Sequence, residues 1–176
     1  MTVRRTACAL LAAVALIAAG CGSDSKQSGS STGSASSSPS PPGDFASKLQ
    51  VSTDLSKQPT IASVQDLPPM QLTTKDVVKG TGAEAKAGDK VTVQYVGIAY
   101  SSDKEFDASW GKPPFSAELK SPGIIEGWVK GIPGMKVGGR RVLVIPSDLG
   151  YGDQGSPPDI APGETLIFVI DLKKVG

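Results

Sequence analysis

SPGIIEGWVKGIPG, residues 121–134, carries the clearest helix signal downstream of the first 43 residues. Its apolar residues recur at the i, i+3, i+4 and i+7 spacing of one helical face: Ile125, Trp128, Val129 and Ile132. Gly127 and Gly131 lie inside the same stretch, and each costs a helix about 1 kcal/mol relative to alanine. A helix weakened in this way keeps a tryptophan for one of two reasons. Either a core needs a large ring close to another backbone, or a ligand needs the ring as a floor.

Apolar runs bounded by glycine and proline surround this helix and predict five strands: 70–80, 89–100, 115–119, 140–146 and 165–175. Alternating residues in the second run indicate a half-buried strand. Polar, glycine-rich segments between the runs, including SSDKE at 101–105, predict turns. The core is expected to contain seven residues of these runs: Val91, Val93, Leu143, Val144, Ile145, Leu166 and Ile170. Because long alternation of strands and helices is absent, we expect an α+β fold, an antiparallel sheet with one helix on one face.

The first 20 residues predict a signal peptide. Arg4 and Arg5 precede an apolar segment, 7–19, which is shorter than the ~20 residues of a stable membrane span. The segment ends in AAGC, which resembles the lipobox of bacterial lipoproteins and predicts cleavage before Cys21 and lipid attachment to it. An ordinary secreted protein with an accidental cysteine is the alternative. Cleavage would discard Cys8, the only other cysteine, so the mature chain could form no internal disulfide.

Three further segments follow the predicted cleavage point. Residues 21–43 are rich in serine and too polar to bury a core, so they are expected to form a flexible tether behind the lipidated cysteine. Residues 44–70 are expected to be an N-terminal extension that either adds an edge strand or packs across the sheet. Residues 71–176 are expected to form one domain of ordinary size.

Composition excludes several kinds of site. The chain has no histidine, and the mature chain would have no free thiol, so a Ser-His-Asp or Cys-His arrangement cannot form. His-rich zinc sites are excluded, the acidic residues are not spaced as a calcium loop, and no phosphate-binding loop is present, so neither a metal nor another cofactor is expected. Loss of Arg4 and Arg5 takes the formal net charge from +1 to −1, and no basic stripe suggests nucleic-acid binding.

The order of landmarks along the chain resembles the FKBP family, the macrolide-binding peptidyl-prolyl isomerases. The landmarks are VQYVG, EFDAS, PF, IIEGWVKGI, GYGDQGSPPDIAP and TLIFVIDL, and the match runs from Gln71 to Val175. The resemblance implies a five-stranded antiparallel sheet curled around one short helix, with a pocket between helix and sheet. A lipid-anchored, serine-tethered form looks actinobacterial.

The resemblance also implies the site residues. Asp107, Tyr151 and Trp128 would act in catalysis, with Trp128 as the pocket floor. The substrate-binding residues would be Tyr95, Phe106, Phe115, Ile124, Ile125, Ile160 and Phe168, with the Ile125 N–H binding a substrate carbonyl. Judged without the resemblance, Asp107 could instead pair with Lys112, and Tyr151 could be a solvated loop side chain.

The chain departs from the family pattern in three places. Ser156 and Asp159 stand where human cytosolic members carry histidine and isoleucine, the loop between Phe106 and Phe115 is one residue shorter, and no arginine accompanies Asp107.

The expected function is therefore cis-trans isomerisation of X-Pro bonds in exported proteins, by a monomer anchored through lipid at the outer face of the cytoplasmic membrane. Its partners would be proline-containing segments and macrolides such as tacrolimus or rapamycin. The alternatives are a lipid-anchored chaperone or proline-peptide binding module with little turnover, and a lipoprotein that uses the same pocket for an unrelated ligand.

Overall fold

The computed structural model describes residues 44–62 and 66–176, so the predicted signal peptide, Cys21 and tether lie outside the described residues. The elements follow the chain in this order: α1 (Asp44–Lys48), β1 (Thr73–Val78), β2 (Lys90–Ala99), β3 (Lys104–Ala108), β4 (Phe115–Glu118), α2 (Glu126–Gly131), β5 (Arg140–Ile145) and β6 (Leu166–Val175). Two 3₁₀ turns, Ser147–Leu149 and Gly152–Gln154, join β5 to the last loop. The predicted α+β fold, a curled antiparallel sheet with a short helix, is confirmed, and α1 is an additional helix that was not predicted.

The sheet has one strand more than the sequence predicted. Its order is β1-β5-β6-β2-β3, with β4 also paired to β2, and every pairing is antiparallel. The first half of β2 pairs with β4 and its second half with β3, so two short strands share one long neighbour. The extra strand is β3, which includes part of the SSDKE segment predicted as a turn. Three of its five residues are exposed, and its two apolar residues, Phe106 and Ala108, are too few to establish an alternation.

Helix α2 packs on the inner face of the sheet at unusually close range. A Cβ atom on Gly127 would lie 2.4 Å from Cγ2 of Ile145, and one on Gly131 would lie 2.4 Å from Cδ2 of Leu143. The two glycines therefore lower the helix propensity of α2 but allow its backbone to lie close to the side chains of β5. Trp128, next to Gly127, is buried in the main core. Four residues of β5 and β6 that were predicted to be core lie in the same cluster: Leu143, Ile145, Leu166 and Ile170.

The outer face of the sheet is covered by residues 44–62, which we call the strap. Phe45, Ala46 and Leu49 of the strap are buried in a second apolar cluster. The sheet side of this cluster consists of Val142, Val144, Ile167 and Val169. Of the two alternatives for the extension, the described residues therefore follow the one that packs across the sheet. No edge strand forms in residues 44–62, where the one β contact is an isolated bridge between Val51 and Ile61.

A buried ion pair fixes the strap to the sheet. Arg140 on β5 is 0% exposed, and its Nε and Nη2 donate to Asp171 on β6 at 2.6 and 2.8 Å. The guanidinium also donates to the strap carbonyls of Ser52 at 2.6 Å and Lys57 at 3.2 Å. Removing two charges from water is favourable only where their remaining hydrogen-bonding groups are satisfied, and the strap carbonyls do this.

Helices among residues 44–62 and 66–176 are too short to cross a membrane.

Candidate active site

A cavity of about 600 Å³ opens between α2 and the inner face of the sheet. Nine of the ten pocket residues expected from the sequence line it: Tyr95, Phe106, Asp107, Phe115, Ile124, Ile125, Trp128, Tyr151 and Phe168. The tenth, Ile160, is 4% exposed and lies in the main core instead of in the cavity wall. It closes a tight turn in which its backbone exchanges two hydrogen bonds with that of Ser156.

Trp128 forms the floor of the cavity, where its ring is held by three others at right angles. Its centroid lies 5.2 Å from that of Tyr95, 6.0 Å from Phe115 and 5.3 Å from Phe168, all in edge-to-face geometry. Aromatic pairs favour this arrangement because the positive ring edge meets the negative ring face. The indole is 4% exposed, and its Nε1 has no hydrogen-bond partner in the described residues. The result is a rigid, apolar surface.

A β-bulge on β3 places two consecutive side chains in the same cavity. In the pairing of β2 with β3, Gly97 faces Asp107 and Ile98 faces Glu105, which leaves Phe106 as an extra residue. Consecutive residues of a regular strand point to opposite faces, whereas a bulge re-aims them. Phe106 then packs edge-to-face on Phe168 at 5.5 Å. This gives the cavity an aromatic wall and a carboxylate side by side.

Gly97 makes room for that wall. A Cβ atom at this position would lie 2.6 Å from Cζ of Phe106 and 2.8 Å from Cε1 of Phe168. Sequence reasoning missed this residue, although a glycine in the interior of a predicted strand is itself a signal of close approach. Ser121, Pro122, Gly123 and Glu126, which also line the cavity, were missed as well.

The polar side of the cavity is organised around Tyr95. Its hydroxyl donates a short hydrogen bond to Oδ2 of Asp107. Desolvation by burial, followed by this bond, raises the pKa of Tyr95 well above its usual 10.0, so the hydroxyl stays protonated at neutral pH. Ser109 fixes the backbone of Tyr95 from both sides, because its Oγ accepts from the Tyr95 N–H at 2.9 Å and its N–H donates to the Tyr95 carbonyl at 3.1 Å. The carboxylate of Asp107 is thus oriented by a hydroxyl group that keeps its proton at neutral pH.

Lys112 is not the partner of Asp107 that the sequence allowed. Its Nζ donates to the carbonyl of Ala108 at 3.1 Å, and no ion pair joins it to Asp107 in the described part of the chain. The loop after β3 folds back on its own backbone, which directs the lysine away from the cavity.

Two further groups on the cavity rim can contact a ligand. Tyr151 is 41% exposed, and no residue of the described ranges hydrogen-bonds its hydroxyl. Ile125 precedes α2 in an extended conformation, and no carbonyl of the described residues accepts its N–H. A ligand carbonyl placed over Trp128 would have these two donors nearby. The described ranges contain no cluster of carboxylates or thiols that could hold a metal ion. The site can therefore bind and orient a compact apolar group next to a carbonyl.

Comparison with known proteins agrees with this geometry. The family model described as FKBP-type peptidyl-prolyl cis-trans isomerase matches residues 82–173. An FK506-binding protein of Streptomyces anulatus is 53% identical over 110 residues, covering 61% of this chain and 89% of the relative. A probable FK506-binding protein of Corynebacterium glutamicum is 47% identical over 104 residues, covering 59% of this chain and 86% of the relative.

A solved structure is similar as well. The crystal structure of a peptidyl-prolyl cis-trans isomerase from Pseudomonas syringae superposes with a TM-score of 0.54 at 35% identity. The aligned part covers 60% of this chain and 75% of that one. The antiparallel sheet and short helix are thus shared with a protein of known structure.

Proposed function

Because this chain belongs to the FKBP-type peptidyl-prolyl cis-trans isomerases, and so catalyses that isomerisation, we propose that its substrates are proline-containing segments of exported proteins. In this proposal the enzyme accelerates their folding at the outer face of the cytoplasmic membrane, anchored by lipid on Cys21. The observation that carries the isomerase site is the Trp128 floor, enclosed by Tyr95, Phe115 and Phe168. A flat ring of this kind suits the pyrrolidine ring of proline.

The barrier that such an enzyme lowers comes from amide resonance. Rotation about a peptide bond costs about 18–20 kcal/mol. The two isomers of an X-Pro bond differ by only about 0.5–1 kcal/mol, so the unaided reaction is slow but not uphill, with times of tens to hundreds of seconds. In the twisted transition state the amide has lost much of its charge separation. An apolar cavity therefore favours that state over the planar, more polar ground state, and this difference in binding is catalysis.

The residues of the cavity divide this work. Trp128 and the surrounding rings exclude water from the proline, while the Ile125 N–H and the Tyr151 hydroxyl orient the peptide carbonyls. Asp107, held by Tyr95, acts electrostatically on the rotating carbonyl carbon. No proton has to be transferred, which agrees with a chain that lacks histidine.

The export and anchoring part of the proposal rests on the leader, the AAGC motif and the serine-rich tether of the sequence. The matching relatives named for FK506 binding also support macrolides, such as tacrolimus or rapamycin, as ligands of the same cavity. The loop departures at Ser156 and Asp159 fall outside the lining of that cavity.

Two measurements test the proposal. Turnover of an Ala-Leu-Pro-Phe peptide in a protease-coupled assay, with Trp128→Ala as the inactive comparison, tests the site. Metabolic labelling with a palmitate analogue, followed by membrane fractionation, tests the anchor. We expect the native chain to be labelled and membrane-bound, and the Cys21→Ser variant to be unlabelled and either soluble or retained as the uncleaved precursor. Label that persists on the variant would overturn the lipid anchor and leave the isomerase activity standing.

A further inference from the structure

A second cavity of about 320 Å³ lies directly behind one wall of the active site. Phe106 lines both cavities, so the two spaces adjoin at this residue. The residues of this flanking cavity that matter here are Ser101, Lys104, Glu105, Phe106, Asp159 and Glu164. Its volume is at the lower end of the roughly 300–1,000 Å³ typical of ligand pockets, which suits one extended side chain better than a folded ligand.

The flanking cavity carries an excess of negative charge. Three carboxylates line it, from Glu105, Asp159 and Glu164, against the single ammonium of Lys104. Glu164 is only 7% exposed, and both of its oxygens are fixed by Ser101, whose N–H and hydroxyl donate at 2.8 and 2.6 Å. Yet no ion pair reaches Glu164 anywhere in residues 44–62 or 66–176. A buried carboxylate without a cation is costly, and a ligand cation would relieve that cost.

The other two carboxylates are also available. Asp159 is exposed and has no hydrogen-bond or ion-pair partner among the residues that the structure describes. Glu105 accepts one hydrogen bond, from Nε2 of Gln58 in the strap at 2.7 Å, and forms no ion pair there. The carboxylates are spread over three elements, and the described residues contain no group that converges on a metal ion. A long, flexible organic cation fits this layout better than a compact inorganic one.

We propose that the flanking cavity binds the side chain of a lysine or arginine that lies close to the proline in the substrate, so that the enzyme prefers basic proline-containing segments. The peptide backbone would pass over Phe106 while its proline rests on Trp128. The inference builds on the isomerase activity and assigns Asp159, Glu105 and Glu164 as determinants of its specificity. Lysine and arginine can span the distance because their apolar stems pack along the Phe106 ring while the charged ends reach the carboxylates.

The experiment compares peptides with the same Leu-Pro core and one variable residue on either side of it: lysine, norleucine or glutamate. Norleucine keeps the four-carbon stem of lysine and lacks its charge. Isomerisation is followed by NMR exchange, since a coupled protease would add its own preference for charge. At one of the two positions we expect kcat/KM for lysine to exceed that for norleucine by about threefold to tenfold, the effect of one or two partly exposed charge pairs. Glutamate should rank below norleucine, and added salt should reduce the differences.

Variants assign the preference to the cavity. Asp159→Asn combined with Glu105→Gln removes two of the three carboxylates and keeps Glu164, which holds Ser101, so it should lower the ratio of lysine to norleucine to about half its native value or less. The matched control is Glu84→Gln, which removes an exposed carboxylate that lines neither cavity and should leave the ratio as it is.

Equal rates for lysine and norleucine at both positions would overturn the inference, as would a lysine preference that is undiminished in the double variant. Either result leaves turnover of the norleucine peptides, and with it the isomerase activity, intact. Affinities of the same peptide pair measured by calorimetry should show the same ratio, so the cavity is tested separately from catalysis.

Discussion

Replacing Gly97 by alanine should impair catalysis more than it impairs folding. The added Cβ would lie 2.6 Å from Cζ of Phe106 and 2.8 Å from Cε1 of Phe168, whereas ordinary contacts of a Cβ begin at 3.4 Å. Phe168 is 4% exposed and held by Trp128, so it cannot retreat. Phe106 is partly exposed and lies between two cavities, so it is the ring that must move, by about 1 Å.

The magnitudes follow from this displacement. Crowding of a packed site costs about 1–3 kcal/mol, and replacing a glycine inside a strand returns about 0.5–1 kcal/mol. The free energy of unfolding should therefore fall by only about 0–2.5 kcal/mol. A displacement of ~1 Å in a binding wall can cost up to about 100-fold in rate, and we expect kcat/KM to fall by about 10- to 100-fold.

The assay measures kcat/KM on a neutral Leu-Pro peptide and the free energy of unfolding by chemical denaturation, on the same preparations. Gly82→Ala is the matched control, because its Cβ would lie 2.8 Å from Cβ of Val137, at a position that lines neither cavity. The control should lose stability and retain kcat/KM. If Gly97→Ala keeps the native kcat/KM while folded, the aromatic wall does not depend on this glycine, and the reasoning fails.

Three other expectations follow from the site and the strap. Tyr151→Phe should lower kcat/KM about fivefold, which corresponds to the loss of one hydrogen bond of about 1 kcal/mol. Asp107→Ala should lower kcat/KM by a similar or larger factor, which corresponds to about 1–2 kcal/mol. Full activity in the double variant would contradict both roles. Burial raises the pKa of Tyr95 in the folded state, so above pH 10.0 the unfolded chain ionises first and the contribution of Tyr95 to stability, complete below that pH, declines. Chemical denaturation at increasing pH should therefore show a shallower decline in the free energy of unfolding for Tyr95→Phe than for the native chain. The kcat/KM of the native chain should stay flat between about pH 6 and 8. Leu49→Ala in the strap should lower the free energy of unfolding by about 2–5 kcal/mol and leave kcat/KM unchanged, and a parallel loss of activity would show that the strap acts on the site.

Strong hydrophobic patterns allowed most of the fold to be predicted from the sequence, whereas the aromatic site was implied by the resemblance to the FKBP family. The β-branched runs of β5 and β6 are buried on both faces, so their identity as strands is hard to mistake. Strand β3 was missed because an exposed edge strand needs no apolar alternation. The strap was only half predicted, because its buried residues Phe45, Ala46 and Leu49 span little more than one helical turn, which is too short to establish a period.

The site shows the same limits at the level of single side chains. Trp128 and Phe168 were assigned to the cavity through the resemblance to the FKBP family, because a large ring could equally serve a core. Ile160 was predicted for the cavity wall and does not line the cavity in the structure, because the sequence of a loop does not show which way its side chains face. The pairing of Asp107 with Tyr95 instead of Lys112 depends on a bulge, and a bulge has no sequence signature of its own.

The way in which the strap is held bears on how such segments are found in other chains. Arg140 binds the carbonyls of Ser52 and Lys57, and Lys173 reaches the carbonyl of Leu55 at 3.4 Å, so the sheet recognises main-chain atoms that every amino acid supplies. Side chains in this part of the strap are consequently free to diverge. The family model begins at residue 82, although packed structure begins near residue 45. A buried Arg–Asp pair on the corresponding central strands is then a better guide to a homologous strap than similarity in the strap itself.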